Sequence, residues 1–228
     1  MADGTAVPPR ADQNPFTAQE EVLLRSVGTS RDWLSGEVIF LEGGTPDSVV
    51  LIREGLVKAT SHARSGYISL LAVRGPGQLV GELACLDRMP RSATVTTLQS
   101  VKGTVITADR FTDLLRQNGV LALSLIRSIT SRLRDADRLR ADQGALPAND
   151  RVARVLLDLA LRHGTANRHA PYARTLAVSQ ADLASASGTS RESAVRALRL
   201  LQGGDVVSTS RGRITVHDVR NLSRWING

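Results

Sequence analysis

Gly188-Thr189-Ser190-Arg191-Glu192-Ser193-Ala194-Val195-Arg196 is the stretch that decides the reading of this chain. It follows Ser179-Gln180-Ala181-Asp182-Leu183-Ala184-Ser185-Ala186, and both stretches open on helix-start signals. Ser179 and Asp182 have the spacing of an N-cap and its answering acid, and Thr189 and Glu192 repeat it. Gly188 lies between the two predicted helices, where a tight turn needs a permissive backbone. Ala184, Val195, Leu198 and Leu201 are placed to seal the helices together, and small Ala and Ser residues allow close approach. The outward face of the second helix then carries Arg191, Glu192 and Arg196, with Glu192 and Arg196 one turn apart. This is the pattern of a helix-turn-helix whose second helix is presented for reading. An Arg donates two hydrogen bonds to guanine O6 and N7, and a Glu accepts from cytosine N4. The blander reading is a surface helix with an ordinary, weak Glu–Arg pair. The two start signals, the turn glycine and the charge distribution favour DNA.

The 228 residues carry a formal charge of +7. Residues 151–228 hold twelve Lys and Arg against five Asp and Glu, whereas residues 1–150 hold seventeen of each. The whole excess therefore sits on the helix-turn-helix half, and a basic domain beside a neutral one points to a polyanion. The length permits two modest domains, each with its own core. Cys85 is the only cysteine, which excludes an intrachain disulfide framework and a cysteine-ligated iron–sulfur cluster built from one subunit. A haem has only His62 and Cys85 to draw on, and His163, His169 and His217 show no metal spacing, so no metal site is expected. No Walker loop, nucleophile elbow or paired-carboxylate signature is present; no catalytic residues and no enzymatic activity are expected. Met1–Gln13 is polar and lacks the apolar core of a signal peptide, and no run is long enough to span a bilayer. The expectation is a loose tail over 1–13 and a cytoplasmic protein.

Thr17–Val27 reads as a short amphipathic helix with Val22, Leu23 and Leu24 inward. Short apolar runs follow, among them Glu37–Leu41, Ser48–Arg53, Leu56–Ala59, Tyr67–Val73, Ala93–Thr96 and Val101–Ile106, with Gly or Pro between most of them. Such punctuation indicates an all-β barrel or double-sheet roll. After Asn118, Ala122, Ile126, Ile129, Leu133 and Ala136 follow a 4-3-4-3 spacing, a heptad seam suited to a parallel dimer of the helix over 119–141. The competing reading is a helix packed against its own domain. Gly144-Ala145-Leu146-Pro147 breaks this helix and supplies a hinge. Asn149 or Asp150 is then expected to cap Arg151–His163, whose inner face holds Val152, Val155, Leu156 and Leu159. Gly203-Gly204 stops the reader helix, and Val206–Ser208 and Ile214–Val216 flank a β-hairpin wing. Its tip carries Arg211 and Arg213, which either reach phosphates or merely keep the tip soluble. The predicted fold is α+β: an N-terminal β-roll (double-sheet jelly roll), a long dimerisation helix and a C-terminal winged helix-turn-helix. The expected organisation is a tail at 1–13, a sensor domain at 14–117, a dimerisation helix at 118–143, a hinge at 144–148 and a DNA-binding domain at 149–228. The expected DNA contacts are Ser179, Gln180, Thr189, Ser190, Arg191, Glu192, Arg196, Arg211 and Arg213.

The run Gly81-Glu82-Leu83-Ala84-Cys85-Leu86-Asp87-Arg88-Met89-Pro90-Arg91-Ser92-Ala93-Thr94-Val95 is similar to the phosphate-binding cassette of cyclic-nucleotide-binding domains. Gly36-Glu37-Val38-Ile39-Phe40 with Glu42-Gly43, and Gly75-Pro76-Gly77, fit the same domain. Together with the seam helix and Ser190-Arg191-Glu192-x-x-x-Arg196, the chain resembles the CRP/FNR family of bacterial transcription regulators over nearly its whole length. The resemblance implies a homodimer on double-stranded palindromic DNA, a TGTGA-N6-TCACA-like operator, and contact with RNA polymerase. It also implies a cyclic phosphate and ribose bound by Glu82, Arg91 and Ser92, with Gly81 and Leu83 in the same cassette. No cofactor is required; the implied effector is cAMP or another cyclic nucleotide. The chemistry of the residues agrees. Arg91 offers fixed, forked donors to a phosphate, Ser92 adds a hydroxyl and an N–H, Glu82 accepts from a ribose hydroxyl, and Gly81 permits close backbone approach. In cAMP-responsive members the dimer helix offers the adenine a Thr and a small polar residue; here those positions hold Ala136 and Asp137. Ala136 has no side-chain hydrogen bond to give. Asp137 either accepts from an adenine amine or repels an anionic ligand. The other reading is a ligand-independent regulator with an unused pocket, in which Glu82 and Arg91 pair with each other.

Overall fold

The structure, a computed structural model, describes residues 14–63 and 66–227, so the tail expected at 1–13 lies outside the described residues. The chain forms two units, residues 14–144 and residues 145–227. In the first, helix α1 (Ala18–Ser26) precedes strands β1 (Thr29–Trp33), β2 (Val38–Phe40), β3 (Ser48–Glu54), β4 (Val57–His62), β5 (Ile68–Arg74) and β6 (Leu79–Val80). A six-residue helix α2 (Glu82–Asp87) leads to β7 (Thr94–Thr97) and β8 (Val101–Thr107), and helices α3 (Ala108–Gln117) and α4 (Gly119–Ala145) follow. The strands pair antiparallel into two four-stranded sheets, β1-β8-β3-β6 and β2-β7-β4-β5. This is the double-sheet roll.

Strand β3 explains how the roll is filled. Val49, Val50, Leu51 and Ile52 are all buried. Because strand side chains alternate, Val49 and Leu51 enter the cluster of Phe16, Leu24, Phe111, Leu114 and Leu121 under the helices. Val50 and Ile52 enter the inter-sheet cluster of Trp33, Val57, Val80, Val95 and Val101. One continuous apolar run thus serves two cores.

Helix α1 opens on a capping box: Thr17 Oγ1 accepts from the Glu20 N–H, and the Glu20 carboxylate accepts from the Thr17 N–H. Glu20 is buried and also accepts from Ser124 of α4 at 2.7 Å. Burial alone would raise its pKa, but the bonds from Ser124 and Thr17 outweigh it and hold the carboxyl below its ordinary value. Of the three residues expected inward on this helix only Leu24 is buried; Val22 and Leu23 face out. The inward side is shared by Leu24 and the bonded Glu20.

Helix α4 corrects the expected seam. Leu121 and Leu125 are buried against Phe111 and Leu114, and Ile129 packs beside them. The exposed apolar residues are Val120, Leu123, Ile126 (56%) and Leu133 (59%). The helix therefore has two apolar faces, and Ile129 belongs to the barrel face instead of an open seam. It also runs through Gly144 to Ala145, so the break begins two residues later than expected. Pro147 sets it, because a proline has no N–H to donate and disfavours helix in the residue before it.

The second unit contains α5 (Ala148–His163), β9 (Thr165–Asn167), β10 (Ala170–Leu176), α6 (Gln180–Ala186), α7 (Arg191–Gly203), β11 (Val207–Ser210), β12 (Arg213–Val216) and α8 (Val219–Asn227). Helix α5 starts directly after Pro147 with no side-chain cap, so Asn149 and Asp150 lie inside its first turn and cap nothing. Proline at the junction supplies a preset φ in place of a cap. Val152, Ala153, Leu156, Leu159 and Ala160 form its buried face. The wing hairpin β11–β12 joins β10 and β9 in a four-stranded sheet, β11-β12-β10-β9. Among the described residues no helix is long and apolar enough to cross a membrane.

Candidate nucleic-acid interface and ligand cassette

Helices α6 and α7 are built by their caps. Ser179 forms the expected box with Asp182: the Asp182 N–H donates to Ser179 Oγ at 3.0 Å, and the Ser179 N–H donates to Asp182 Oδ2 at 3.1 Å. The second cap falls one residue later than the sequence suggests. Ser190, not Thr189, accepts from the Ser193 N–H at 3.2 Å. Thr189 is needed in the turn, where its N–H donates to the Ala184 carbonyl at 3.0 Å. Gly188 makes that turn with φ +57°, a left-handed conformation that favours glycine. Leu183 and Ala184 of α6 and Ala194, Ala197, Leu198 and Leu201 of α7 are buried, and α7 packs against both α5 and α6. Val195 is only half-buried, because it lies at the flank of that face.

Arg191, Glu192 and Arg196 are exposed, as the spacing predicts. Arg196 donates from Nη2 to Ser193 Oγ at 2.7 Å, and Ser190 Oγ donates to the same oxygen at 3.2 Å. No Glu192–Arg196 ion pair forms among the described residues. The Glu192 carboxyl sits below its ordinary pKa. Its own backbone N–H is the main cause, then the Ser190 hydroxyl, with the charges of Arg191 and Arg196 adding to them. It is thus held as an acceptor at the positive end of α7. Gln180 and Thr189 are half-buried. Arg211 and Arg213 are exposed at the wing tip, where Gly212 turns with φ +70°. Gln202 of α7 donates to Thr209 of β11 at 3.2 Å, which ties the hairpin to α7.

The cassette lies at the start of α2. Gly81 has φ +82°, and a Cβ there would stand 2.7 Å from Arg91 Nη1 and 2.7 Å from the Phe40 ring. Only glycine fits. Glu82 is buried, and its Oε1 lies 2.7 Å from Nη1 of Arg132 on α4. Arg91 is 4% exposed. Its Nη1 donates to the Gly81 carbonyl at 2.9 Å; its Nη2 donates to the Ser48 carbonyl at 2.7 Å and to Asp47 Oδ1 at 3.0 Å. The guanidinium also stacks 3.9 Å from the Phe40 ring centroid. Arg91 Nε is buried with no partner in the structure. Glu82 and Arg91 are therefore not paired with each other, contrary to one sequence reading: each finds its own opposite charge. Cys85 is buried beside them, and burial pushes its thiol up despite the neighbouring Arg91. Leu83 and Ser92 are exposed. So are Ala136 and Asp137, and Asp137 Oδ1 lies 3.3 Å from Nη1 of Arg140. Ala136 stands one turn beyond Arg132, about 6 Å along the same face of α4.

Sequence reasoning missed Arg132, Asp47 and Phe40. The only signal available was physical: a Glu and an Arg in one short turn next to apolar strands each need a counter-charge if buried. Nothing in the spacing says where those counter-charges come from.

A β-roll carrying this turn, followed by a winged helix-turn-helix with exposed arginines on α7, defines a DNA-binding regulator with a nucleotide-binding-type domain. Comparison with known proteins agrees. Residues 30–118 match the cyclic nucleotide-binding domain family, and residues 150–225 match the Crp-like helix-turn-helix domain family. The chain is 32% identical over 167 residues to the CRP-like cAMP-activated global transcriptional regulator of Mycobacterium tuberculosis, covering 73% of this chain and 74% of that protein. It is 31% identical over 207 residues to the cyclic AMP receptor protein of Thermus thermophilus, covering 90% and 92%. The solved structure of the c-di-GMP-responsive global regulator CLP of Xanthomonas campestris shares the fold, with a TM-score of 0.73 at 21% identity over 88% of this chain and 99% of that one. The chain belongs to the CRP/FNR family of transcription regulators.

Proposed function

We propose that this chain acts as a cytoplasmic homodimer that reads a two-fold symmetric, TGTGA-N6-TCACA-like operator and responds to a cyclic nucleotide such as cAMP. The observation that carries the reading is the exposed trio Arg191, Glu192 and Arg196 at the N-terminal turns of α7. Arg196 and Arg191 supply forked donors for guanine, and the ionised Glu192 supplies an acceptor for the cytosine amine. Ser179, Gln180, Thr189 and Ser190 line the same helix starts and suit phosphate contact, as do Arg211 and Arg213 on the wing. The exposed stripe Leu123, Ile126 and Leu133 on α4 supports dimerisation. The organisation proposed is a sensor over 14–117, a dimerisation helix from 118 and a reader from 149, with the hinge narrowed to Leu146–Pro147. Contact with RNA polymerase follows by family analogy. The reader is tested by titrating a panel of single-substituted operators. Arg196→Ala is expected to cost about 1–3 kcal/mol per half-site and to relax discrimination at one base position. Unchanged discrimination at every position would refute the assignment.

The orphaned Arg91 Nε–H and the close approach at Gly81 suit a bound phosphate; by family analogy Glu82, Leu83, Ser92, Ala136 and Asp137 would complete the site. A second reading has a specific observation in its favour: Glu82 and Arg91 already hold Arg132 and Asp47. A cassette satisfied by its own charges suits a ligand-independent regulator. Calorimetry with cAMP and with cGMP separates the two. Saturable heat that Arg91→Ala abolishes supports the ligand; no heat from either nucleotide supports the second reading.

A further inference from the structure

The guanidinium of Arg151 gathers three backbone carbonyls. Nη1 donates to Leu146 at 2.8 Å, Nε to Ser187 at 3.1 Å and Nη2 to Gly188 at 3.1 Å. Leu146 belongs to the short segment through which the chain enters the second unit. Ser187 and Gly188 are the turn that aims α7. Arg151 itself stands in the first turn of α5, where the helix dipole disfavours a cation. Its placement is therefore explained by the carbonyls, two of which lie at the dipole's negative end on α6. A forked guanidinium satisfies three acceptors at once; an ammonium on a flexible stem does not reproduce that geometry.

We propose that Arg151 is a positioning residue of the reader: it couples the path of Leu146–Pro147 to the turn that sets the direction of α7. A shift of the linker then reaches the base-reading face through one side chain. The consequence for DNA rests on the reading of α7 given above; the coupling itself does not.

The test is a double-mutant cycle read by amide hydrogen exchange on the full chain, without DNA or ligand. The Ser187, Gly188 and Thr189 amides all donate within the turn, so each has protection to lose. Pro147→Gly loosens the linker, and in the presence of Arg151 it is expected to speed exchange of these amides about tenfold. In an Arg151→Gln background the amides already exchange faster, and Pro147→Gly adds nothing further. Equal acceleration in both backgrounds, or none in either, overturns the coupling. Should Arg151→Gln lose its cooperative melt, Arg151→Lys takes its place in the cycle with the same expectations. On a TGTGA-N6-TCACA duplex, Arg151→Gln is expected to weaken binding about tenfold with the slope of log K against log salt unchanged. A shallower slope makes Arg151 a phosphate contact and overturns the positioning role. A wild-type chain that ignores this duplex refutes the operator reading, while the exchange cycle still decides the role of Arg151.

Discussion

At the scale of single residues the cassette turns on how a buried charge finds its partner. Glu82 is buried against the half-buried Arg132, and Arg91 is buried while its partner Asp47 is exposed; stranding the buried member of such a pair costs far more than the pair itself is worth. Arg132→Met is expected to destabilise the first unit by about 3 kcal/mol, because it strands the Glu82 carboxylate, and adding Glu82→Gln should return part of that loss. Urea unfolding of the two single variants and the double variant measures it; additive losses would mean that the two side chains do not depend on each other. Glu20 makes a similar case with a definite pH dependence. Its folded pKa lies below the unfolded value, so its contribution is full above the ordinary carboxylate range and is lost as pH falls through the folded value. The stability gap between wild type and Glu20→Gln, about 1 kcal/mol at neutral pH, should close on acidification. A gap that widens toward acid would contradict the bonding seen. The exposure of Arg191, Glu192 and Arg196 and the turns at Gly81 and Gly188 were legible from the chain because spacing and turn chemistry are local properties. Arg132, Asp47 and Phe40 were not, because their roles exist only once remote segments meet.

At the scale of elements, helix α4 is the instructive case. Its sequence contains two apolar faces that share one repeat, and spacing alone does not tell which face meets the roll. Leu125→Ala should destabilise the first unit by about 2–5 kcal/mol, as cavity formation in a core does. Leu133→Asp should leave unfolding of that unit unchanged and lower the sedimenting mass toward that of a monomer. If instead Leu133→Asp destabilises the unit and leaves the mass alone, the exposed stripe is not an association face. The strands of the roll were legible through their glycine punctuation. Helices α3 and α8 and the hairpin β9–β10 were not. Each is short, and such elements owe their stability to packing more than to their own propensity: Phe111 and Leu114 anchor α3, and Val219 and Leu222 anchor α8.

At the scale of the whole molecule, the charge distribution carries the argument. The entire excess of +7 falls on residues 151–228, whereas residues 1–150 are neutral. Binding should therefore weaken steeply with salt, and Arg211→Ala and Arg213→Ala should each reduce the salt slope by about one if the wing grips phosphates. An unchanged slope would leave the wing tip with no part in binding. The most direct test of the account is fluorescence anisotropy of a labelled TGTGA-N6-TCACA duplex at fixed salt, beside a scrambled duplex, with and without cAMP. Specific binding to the operator, strengthened by cAMP, is the expected result. Equal affinity for both duplexes under both conditions would contradict it.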